Sequence, residues 1–297
     1  MLTAPFILII FNPASGVGNR AKVDAVIQVL EAAGATVELY LTQCAGDASR
    51  FLSEYRGVFD IVAAAGGDGT VNEVVNGLKD RQVGSYRLAI IPTGTTNVLA
   101  SELRFPKKPK ALADIILGNQ QKDIFLGQVN QRRFVLMVGV GFDAWVVDKV
   151  NLNLKKKVGK LAYVLSMLKE IRNFGSKTYR LTIDGEEHLA NSVVITNGRY
   201  YGGSFTLSRQ ADLSRDTTQV MMISGSSPWK FVGILLGLPL GIMEKMPGMR
   251  SMPAKHMLIE QVEENSQREP VQADGDSVSQ LPLELSMEPE SVPLLVP

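Results

Sequence analysis

The sequence is short of several things, and each shortage excludes a class of function. It has a single cysteine, Cys44, so no internal disulfide is available and the fold needs no oxidising compartment. Its 2 histidines, His188 and His256, exclude a histidine-rich metal site and argue against histidine-based catalysis. An excess of one charge is also missing: Lys+Arg 31 against Asp+Glu 30 leaves a net +1. A nucleic-acid binder would carry a basic surplus to displace counterions, so no nucleic-acid partner is expected. No run is long and apolar enough for the roughly 20 residues of a bilayer span. The nearest approach, Phe231–Met243, carries no charge but is broken by Gly and Pro. It reads as a buried helix or turn, with an apolar surface touching lipid as the sharper alternative. The apolar run Phe6–Phe11 lacks a basic leader and a small-residue cleavage site. It reads as a strand and not as a signal peptide, which implies a cytoplasmic protein.

What is present is ordinary globular usage, 45% hydrophobic and 21% charged over 297 residues. That length suggests one large domain or two of ordinary size. Strands are expected at Phe6–Phe11, Val37–Leu41, Asp60–Ala65 and Arg87–Ile91. Helices are expected at Arg20–Ala33, ended by Gly34, at Ala48–Tyr55, from Val71 to Leu78, and from Asn97 onward. Strands alternating with helices indicate right-handed βαβ units and a parallel, Rossmann-like α/β sheet. Near Lys122 the pattern changes. Strand candidates then dominate: Asp123–Val129, Arg133–Val138, Tyr179–Ile183, Leu189–Thr196, Gln219–Ser224, His256–Gln261, Val271–Ala273 and Leu283–Met287. Asp184-Gly185 and Asp274-Gly275 are hairpin dipeptides, and one helix is expected over Leu161–Phe174. The expected organisation is an α/β nucleotide-binding domain over residues 1–127 and a mostly antiparallel β-sandwich domain over residues 128–289.

Ligands of parallel sheets gather beyond the C-terminal strand ends, where helix N-termini point their positive ends outward. Three such ends carry glycine-rich turns: Asn12-Pro13-Ala14-Ser15-Gly16, Gly66-Gly67-Asp68-Gly69-Thr70-Val71-Asn72-Glu73 and Pro92-Thr93-Gly94-Thr95-Thr96-Asn97. Glycines let backbone N–H groups approach an anion, and hydroxyls add donors. Three at equivalent positions point to a phosphate-rich ligand. Blander readings exist at each. Thr70 and Glu73 match a capping box that would simply start their helix, the Pro-Thr-Gly turn could be a plain connection, and Arg20 and Lys22 could be solvated. A rival also exists: Gly16-x-Gly18-x-x-Ala21, with Glu38 twenty residues past Gly18, fits a dinucleotide fingerprint and an NAD(P)-binding oxidoreductase. No G-x-x-x-x-G-K-[ST] occurs, so a P-loop enzyme is excluded.

At these residues the sequence resembles the diacylglycerol kinase catalytic-domain family, which includes bacterial lipid kinases and sphingosine and ceramide kinases. The family's N-P-x-S-G, G-G-D-G-T-x-N-E and G-T-x-N elements stand here as Asn12–Gly16, Gly66–Glu73 and Gly94–Asn97. The resemblance continues through Gly139–Ala144, Lys156–Tyr163, Asn197–Gly203 and Asp274-Gly275-Asp276. It implies a kinase that transfers the γ-phosphate of ATP, with Mg2+, to a lipid hydroxyl in an interdomain cleft, in lipid metabolism and phospholipid biosynthesis. It implies nucleotide contacts at Asn12, Pro13, Ala14, Ser15, Gly16, Gly66, Gly67, Asp68, Gly69, Thr70, Val71, Asn72 and Thr95, and at Thr42 after the second strand. It also implies that the tail 290–297 returns to the first domain.

The candidate base lies in Asp274-Gly275-Asp276, with Asp68 as a further catalytic carboxylate; Asp184-Gly185-Glu186 is a decoy closer to the family's spelling. Two departures stand out. Arg215 and Asp216 fall where the family's structural Mg2+ site has Asp and Gly, and Val98 replaces an aspartate after Asn97. The metal ligands are therefore unassigned, and a catalytically silent nucleotide-binding regulator is an alternative. The expected partners are ATP, a lipid, a membrane met peripherally and reversibly at its inner face, and a second copy of the chain as a homodimer. Local basic clusters at Lys107–Lys110 and Lys155–Lys160 fit such a contact despite the neutral sum.

Overall fold

A computed structural model describes residues 4–16, 19–148, 175, 177–225, 227–263 and 269–297. Gly18, the basic cluster at Lys155–Lys160 and the helix expected over Leu161–Phe174 lie outside the described residues. The chain forms two compact units, Met1–Phe125 with Pro289–Pro297, and Leu126–Glu288.

The first unit is built on parallel strands β1 (Phe6–Phe11), β2 (Thr36–Leu41), β3 (Ile61–Gly66) and β4 (Arg87–Pro92). They lie in the order β2-β1-β3-β4, and Leu294 near the end of β18 (Leu283–Leu295) pairs parallel to β4 at Leu88. The helices are α1 (Asn19–Ala32), α2 (Asp47–Glu54), α3 (Asp68–Gly77), α4 (Val98–Glu102) and α5 (Pro109–Leu117). Alternate strand residues Ile7, Ile9, Ile61, Ala63, Ala89 and Ile91 bury one sheet face against Val23, Val26 and Leu30 of α1 and Leu112 and Ile116 of α5. Each fully buried Ile or Leu contributes roughly 1.5–3 kcal/mol. The chain leaves β1 for β2 on one side and returns to β3 on the other. The winding therefore reverses between β1 and β3, where an open parallel sheet offers its crevice.

The second unit is a sandwich. One sheet has the order β14-β13-β10-β7-β16-β17, all antiparallel. Its strands are β7 (Met137–Val140), β10 (Ser192–Thr196), β13 (Thr218–Ile223), β14 (Met249–Ala254), β16 (Pro270–Ala273) and β17 (Asp276–Gln280). The other carries β8 (Tyr179–Ile183), β9 (Glu186–Ala190) and β15 (His256–Gln261), with β15 pairing the first residues of β18. Val138, Val140, Val193, Ile195, Leu181, Ile259 and Leu283 share the core of this unit. The opposite face of the six-stranded sheet is covered by α6 (Phe142–Asp148) and α7 (Pro228–Gly237), whose Phe142 and Phe231 rings meet edge-on at 4.4 Å.

Some expected elements divide, for physical reasons. Arg133–Val138 becomes β6 (Arg132–Phe134) and β7, because the N–H groups of Val135, Leu136 and Met137 donate to the Asp274 carboxylate. Leu189–Thr196 breaks at Asn191, where the chain leaves β9 for the other sheet; the Asn191 N–H donates to Ile223 O. The Phe231–Met243 stretch is helix and turn: Phe231 and Ile234 are buried while Trp229, Leu236 and Leu240 are exposed. Among the described residues no helix is long and apolar enough to cross a membrane.

Candidate functional site

The three glycine turns emerge at the C-terminal ends of adjacent strands β1, β3 and β4 and are tied together by hydrogen bonds. Asn12 closes its own turn by accepting from the Ala14 N–H (3.0 Å), and its Nδ2 donates to Thr70 Oγ1 on α3 (3.2 Å). Ser15 Oγ donates to Asn12 O (2.7 Å) and lies 2.7 Å from Thr93 Oγ1. Asn19 Nδ2 donates to Thr93 O, joining the first turn to the third. The third turn meets the second through Thr93 N–H to Gly66 O (2.9 Å). A Cβ on Gly94 would lie 2.5 Å from the Gly67 Cα and 2.7 Å from Asn97 Oδ1, so the contact requires glycine there. Asn97, at φ 47, bonds Gly94 through both ends of its amide and launches α4.

Asp68 sits in the first turn of α3, where helix N–H groups point outward. Its carboxylate bridges to the start of α4, accepting from the N–H groups of Val98 (2.9 Å) and Leu99 (3.1 Å). Burial raises its pKa and those bonds oppose the rise. Asp68 thus fastens two of the turns to each other. Lys22, one turn into α1, donates to Pro92 O (2.7 Å), which brings an ammonium to the third turn; Arg20 instead pairs with Asp24 on the exposed helix surface. Burial, and then Lys107, lowers the Lys22 pKa.

Pro13, Ala14, Gly16 and Thr95 are exposed at the tips of the turns, and Thr42 is half-buried where β2 ends. Gly69 opens the first turn of α3 and Gly66 closes β3. Two members of the set are buried within α3. Val71 is buried with its N–H bonded to Gly67 O (3.2 Å), and Asn72 is buried with its Oδ1 accepting from Asn76. The capping-box reading fails, because α3 begins at Asp68 with Gly67 as its cap. The Glu73 carboxylate reaches instead to the start of α2, accepting from the N–H groups of Gly46 (2.9 Å) and Ala48 (3.1 Å). Thr93 was not among the expected contacts; its hydroxyl beside Ser15 could have been read from Pro92-Thr93-Gly94. The dinucleotide rival loses its acid: Glu38 is mid-strand in β2, opposite Leu8, and accepts from the Tyr55 hydroxyl (2.8 Å).

In the second unit, Asp274 (φ 50) and Gly275 (φ 89) form the tight turn between β16 and β17. The Asp274 carboxylate accepts from the N–H groups of Val135 (2.7 Å), Leu136 (2.8 Å) and Met137 (3.0 Å). Asp276 is exposed on the far side of the turn. The decoy uses the same local design: Asp184 (φ 46) accepts from the His256 N–H (2.9 Å) in the β8–β9 hairpin. The Asp274 turn is backed by a buried chain of hydrogen bonds. Gly275 N–H donates to Gln272 Oε1 (3.0 Å), Gln272 Nε2 donates to Asp143 Oδ2 (2.6 Å), and the Tyr201 hydroxyl donates to Asp143 Oδ1. A Cβ on Gly139 would strike Asp143 and Gln272, so that glycine makes room for the pair. Burial raises the Asp143 pKa, against the two bonds that favour its charge. Asp143 and Tyr201 also border an apolar cavity lined by Phe142, Val146, Phe231 and Leu238.

The residues at the expected structural Mg2+ site do not fit a hard cation. The Asp216 carboxylate pairs with the Lys255 ammonium, Asp212 Oδ1 accepts from the Ser214 N–H (3.1 Å), and no acidic cluster able to hold a metal occurs among the described residues.

Residues 6–129 match the diacylglycerol kinase catalytic domain family, and residues 136–296 match the YegS C-terminal NAD kinase beta sandwich-like domain. The chain belongs to the diacylglycerol kinase family and is, by that membership, a lipid kinase. It is 30% identical over 298 residues to a diacylglycerol kinase of Mycobacterium tuberculosis, covering 96% of this chain and 93% of the relative. It is 33% identical over 234 residues to a diacylglycerol kinase of Bacillus subtilis, covering 76% of each. A crystal structure of a diacylglycerol kinase from Bacillus anthracis has TM-score 0.79 at 25% identity, covering 100% of this chain and 98% of that one.

Proposed function

We propose that the chain transfers the γ-phosphate of ATP to a hydroxyl of a diacylglycerol-like lipid. The observation that carries the nucleotide half is the linkage of three donor-rich turns at the sheet's reversal point. Phosphoryl transfer is mostly positioning and charge neutralisation, and such turns supply both. Backbone N–H groups of Gly16 and Gly67–Gly69, the Thr95 hydroxyl and the Lys22 ammonium are the groups offered to the phosphates, with Thr42 at the edge of the set. Mg2+ enters as part of the nucleotide substrate, held chiefly by phosphate oxygens.

In the reaction the acceptor oxygen bonds to the γ-phosphorus as the bridging P–O bond to ADP breaks. The hydroxyl proton passes to a carboxylate of the Asp274-Gly275-Asp276 hairpin and then to water. Asp68 is a positioning residue here, since its oxygens are engaged by α4. Contact with the membrane that supplies the lipid is peripheral and reversible. The test is transfer of labelled phosphate from ATP to a panel of diacylglycerol, phosphatidylglycerol, sphingoid base and ceramide. A phosphorylated diacylglycerol is expected. ATP binding with no phospholipid product from any member would favour the silent regulator, the reading that Val98 and Arg215 motivate.

A further inference from the structure

Helix α7 and the turn after it are apolar on both sides. Inward, Phe231, Ile234 and Met243 are buried against the six-stranded sheet. Outward, Trp229 is 83% exposed, Leu236 63%, Leu240 70% and Ile242 40%. Trp229 and Leu236 are seven positions apart, so they share one helix face, and Leu240 and Ile242 follow in the turn. The inner side of this helix is covered, and its outer apolar residues are left uncovered among the described residues. Contiguous exposed apolar side chains of this size mark an interaction surface.

The charges around the patch say what covers it. Arg209 and Lys245 are exposed, and Arg209 Nη2 donates to Gly241 O (3.3 Å), which holds its guanidinium beside the turn. The acid in the turn, Glu244, is half-buried and accepts from Ser208 Oγ (2.5 Å), so it faces inward. An apolar surface with a tryptophan and a cationic rim is complementary to an anionic bilayer: the side chains enter the acyl boundary while the cations meet headgroups. Resting on the lipid-kinase reading, we propose that the outer face of α7 and the Leu238–Ile242 turn insert shallowly into an anionic membrane surface. The same segment walls the apolar cavity through Phe231, Leu238 and Met243. The element that touches the bilayer therefore also borders the room nearest Asp143 and Tyr201.

The experiment is flotation of the full chain with vesicles of phosphatidylcholine alone, or of equal parts phosphatidylcholine and phosphatidylglycerol. Binding to the anionic vesicles that weakens with salt is expected. A W229S/L236S/L240S variant should bind them roughly tenfold or more weakly, yet phosphorylate a short-chain, water-soluble diacylglycerol at the wild-type rate. R209E/K245E should lose the preference for anionic vesicles. Brominated lipids should quench wild-type fluorescence but not the remaining signal of W229F. The triple variant binding like wild type would overturn the proposal. So would an exposed patch whose removal changes only the sedimentation of the protein, since its occupant would then be a second copy. If no variant phosphorylates any lipid while vesicle binding behaves as expected, the kinase reading fails and the surface stands.

Discussion

Asp143 illustrates how much of this chemistry depends on one buried side chain. It accepts from Tyr201 on one oxygen and Gln272 on the other, and Gln272 uses its remaining oxygen to hold the Gly275 N–H. An Asn at 143 would either set its own amide NH2 against that of Gln272 or turn it onto the Tyr201 hydroxyl, which must then accept instead of donate. Relieving the conflict by turning the Gln272 amide would break the bond to Gly275. D143N should therefore lower kcat by up to about 100-fold through misplacement of the hairpin, with little change in ATP affinity. The reciprocal pair D143N/Q272E restores every donor–acceptor match and should recover most of the loss. The carboxyl's raised pKa also has a sign. Its contribution to stability is fully present below the ordinary Asp range, about 3.9, and is lost as pH rises through the raised folded value. Urea unfolding across that interval should show a steeper fall in stability with pH in wild type than in D143N, whose remaining slope Asp68 supplies.

At the hairpin itself, D274N and D276N should each cut turnover by about 100-fold or more while ATP still binds. Only D274N should also lower the unfolding midpoint, because only Asp274 gathers three backbone N–H groups. Full activity in both variants would remove the base from this turn. The Asp-Gly-Asp spelling was legible in the sequence; its support was not. Gln272 and Asp143 are 129 residues apart, and nothing local couples them.

Elements were legible where local pattern and packing agree. β1, β8 and β15 fall where alternation or an apolar run places them, and the glycine turns end their strands as their composition requires. Elements were missed where a local signal was ambiguous. α5 was hidden because Lys107-Lys108-Pro109-Lys110 reads as a basic cluster, although Pro109 is the helix's first residue. α6 was hidden because Phe142–Asp148 is short, a single apolar run between two aspartates too brief to show a helical period. The start of α3 was misplaced by a capping pattern whose acid serves another helix. That transfer is measurable: α2 has no side-chain cap of its own, so E73A should cost about 1–2 kcal/mol of stability. The loss should appear as a lower denaturant midpoint at unchanged m, with protection from amide exchange falling first in α2.

On the scale of the molecule, the α/β-plus-sandwich class followed from the change of pattern near Lys122. The choice between nucleotides did not, because Glu38 is suitably spaced in sequence but mid-strand in space. A thermal shift separates the two. Mg·ATP at about 100 times its Kd should stabilise the protein by about 2.7 kcal/mol, and NAD(H) should leave the melting temperature unchanged. A net charge of +1 also acquires meaning: with opposite charges balanced overall, adhesion depends on the local rim of Arg209 and Lys245 and should be easily reversed by salt.

The pairing of β18 with β4 bears on how the protein is made. Residues Pro289–Pro297 belong to the first unit although all of Leu126–Glu288 separates them from the rest of it. A ribosome adding about 5–20 residues per second leaves the flank of β4 without Leu294 and Leu295 for on the order of ten seconds. An open, apolar strand edge is a template for pairing with other chains. The nascent first unit is thus most exposed to aggregation while the second is still being translated, and its folding is completed by the segment synthesised last of those it contains.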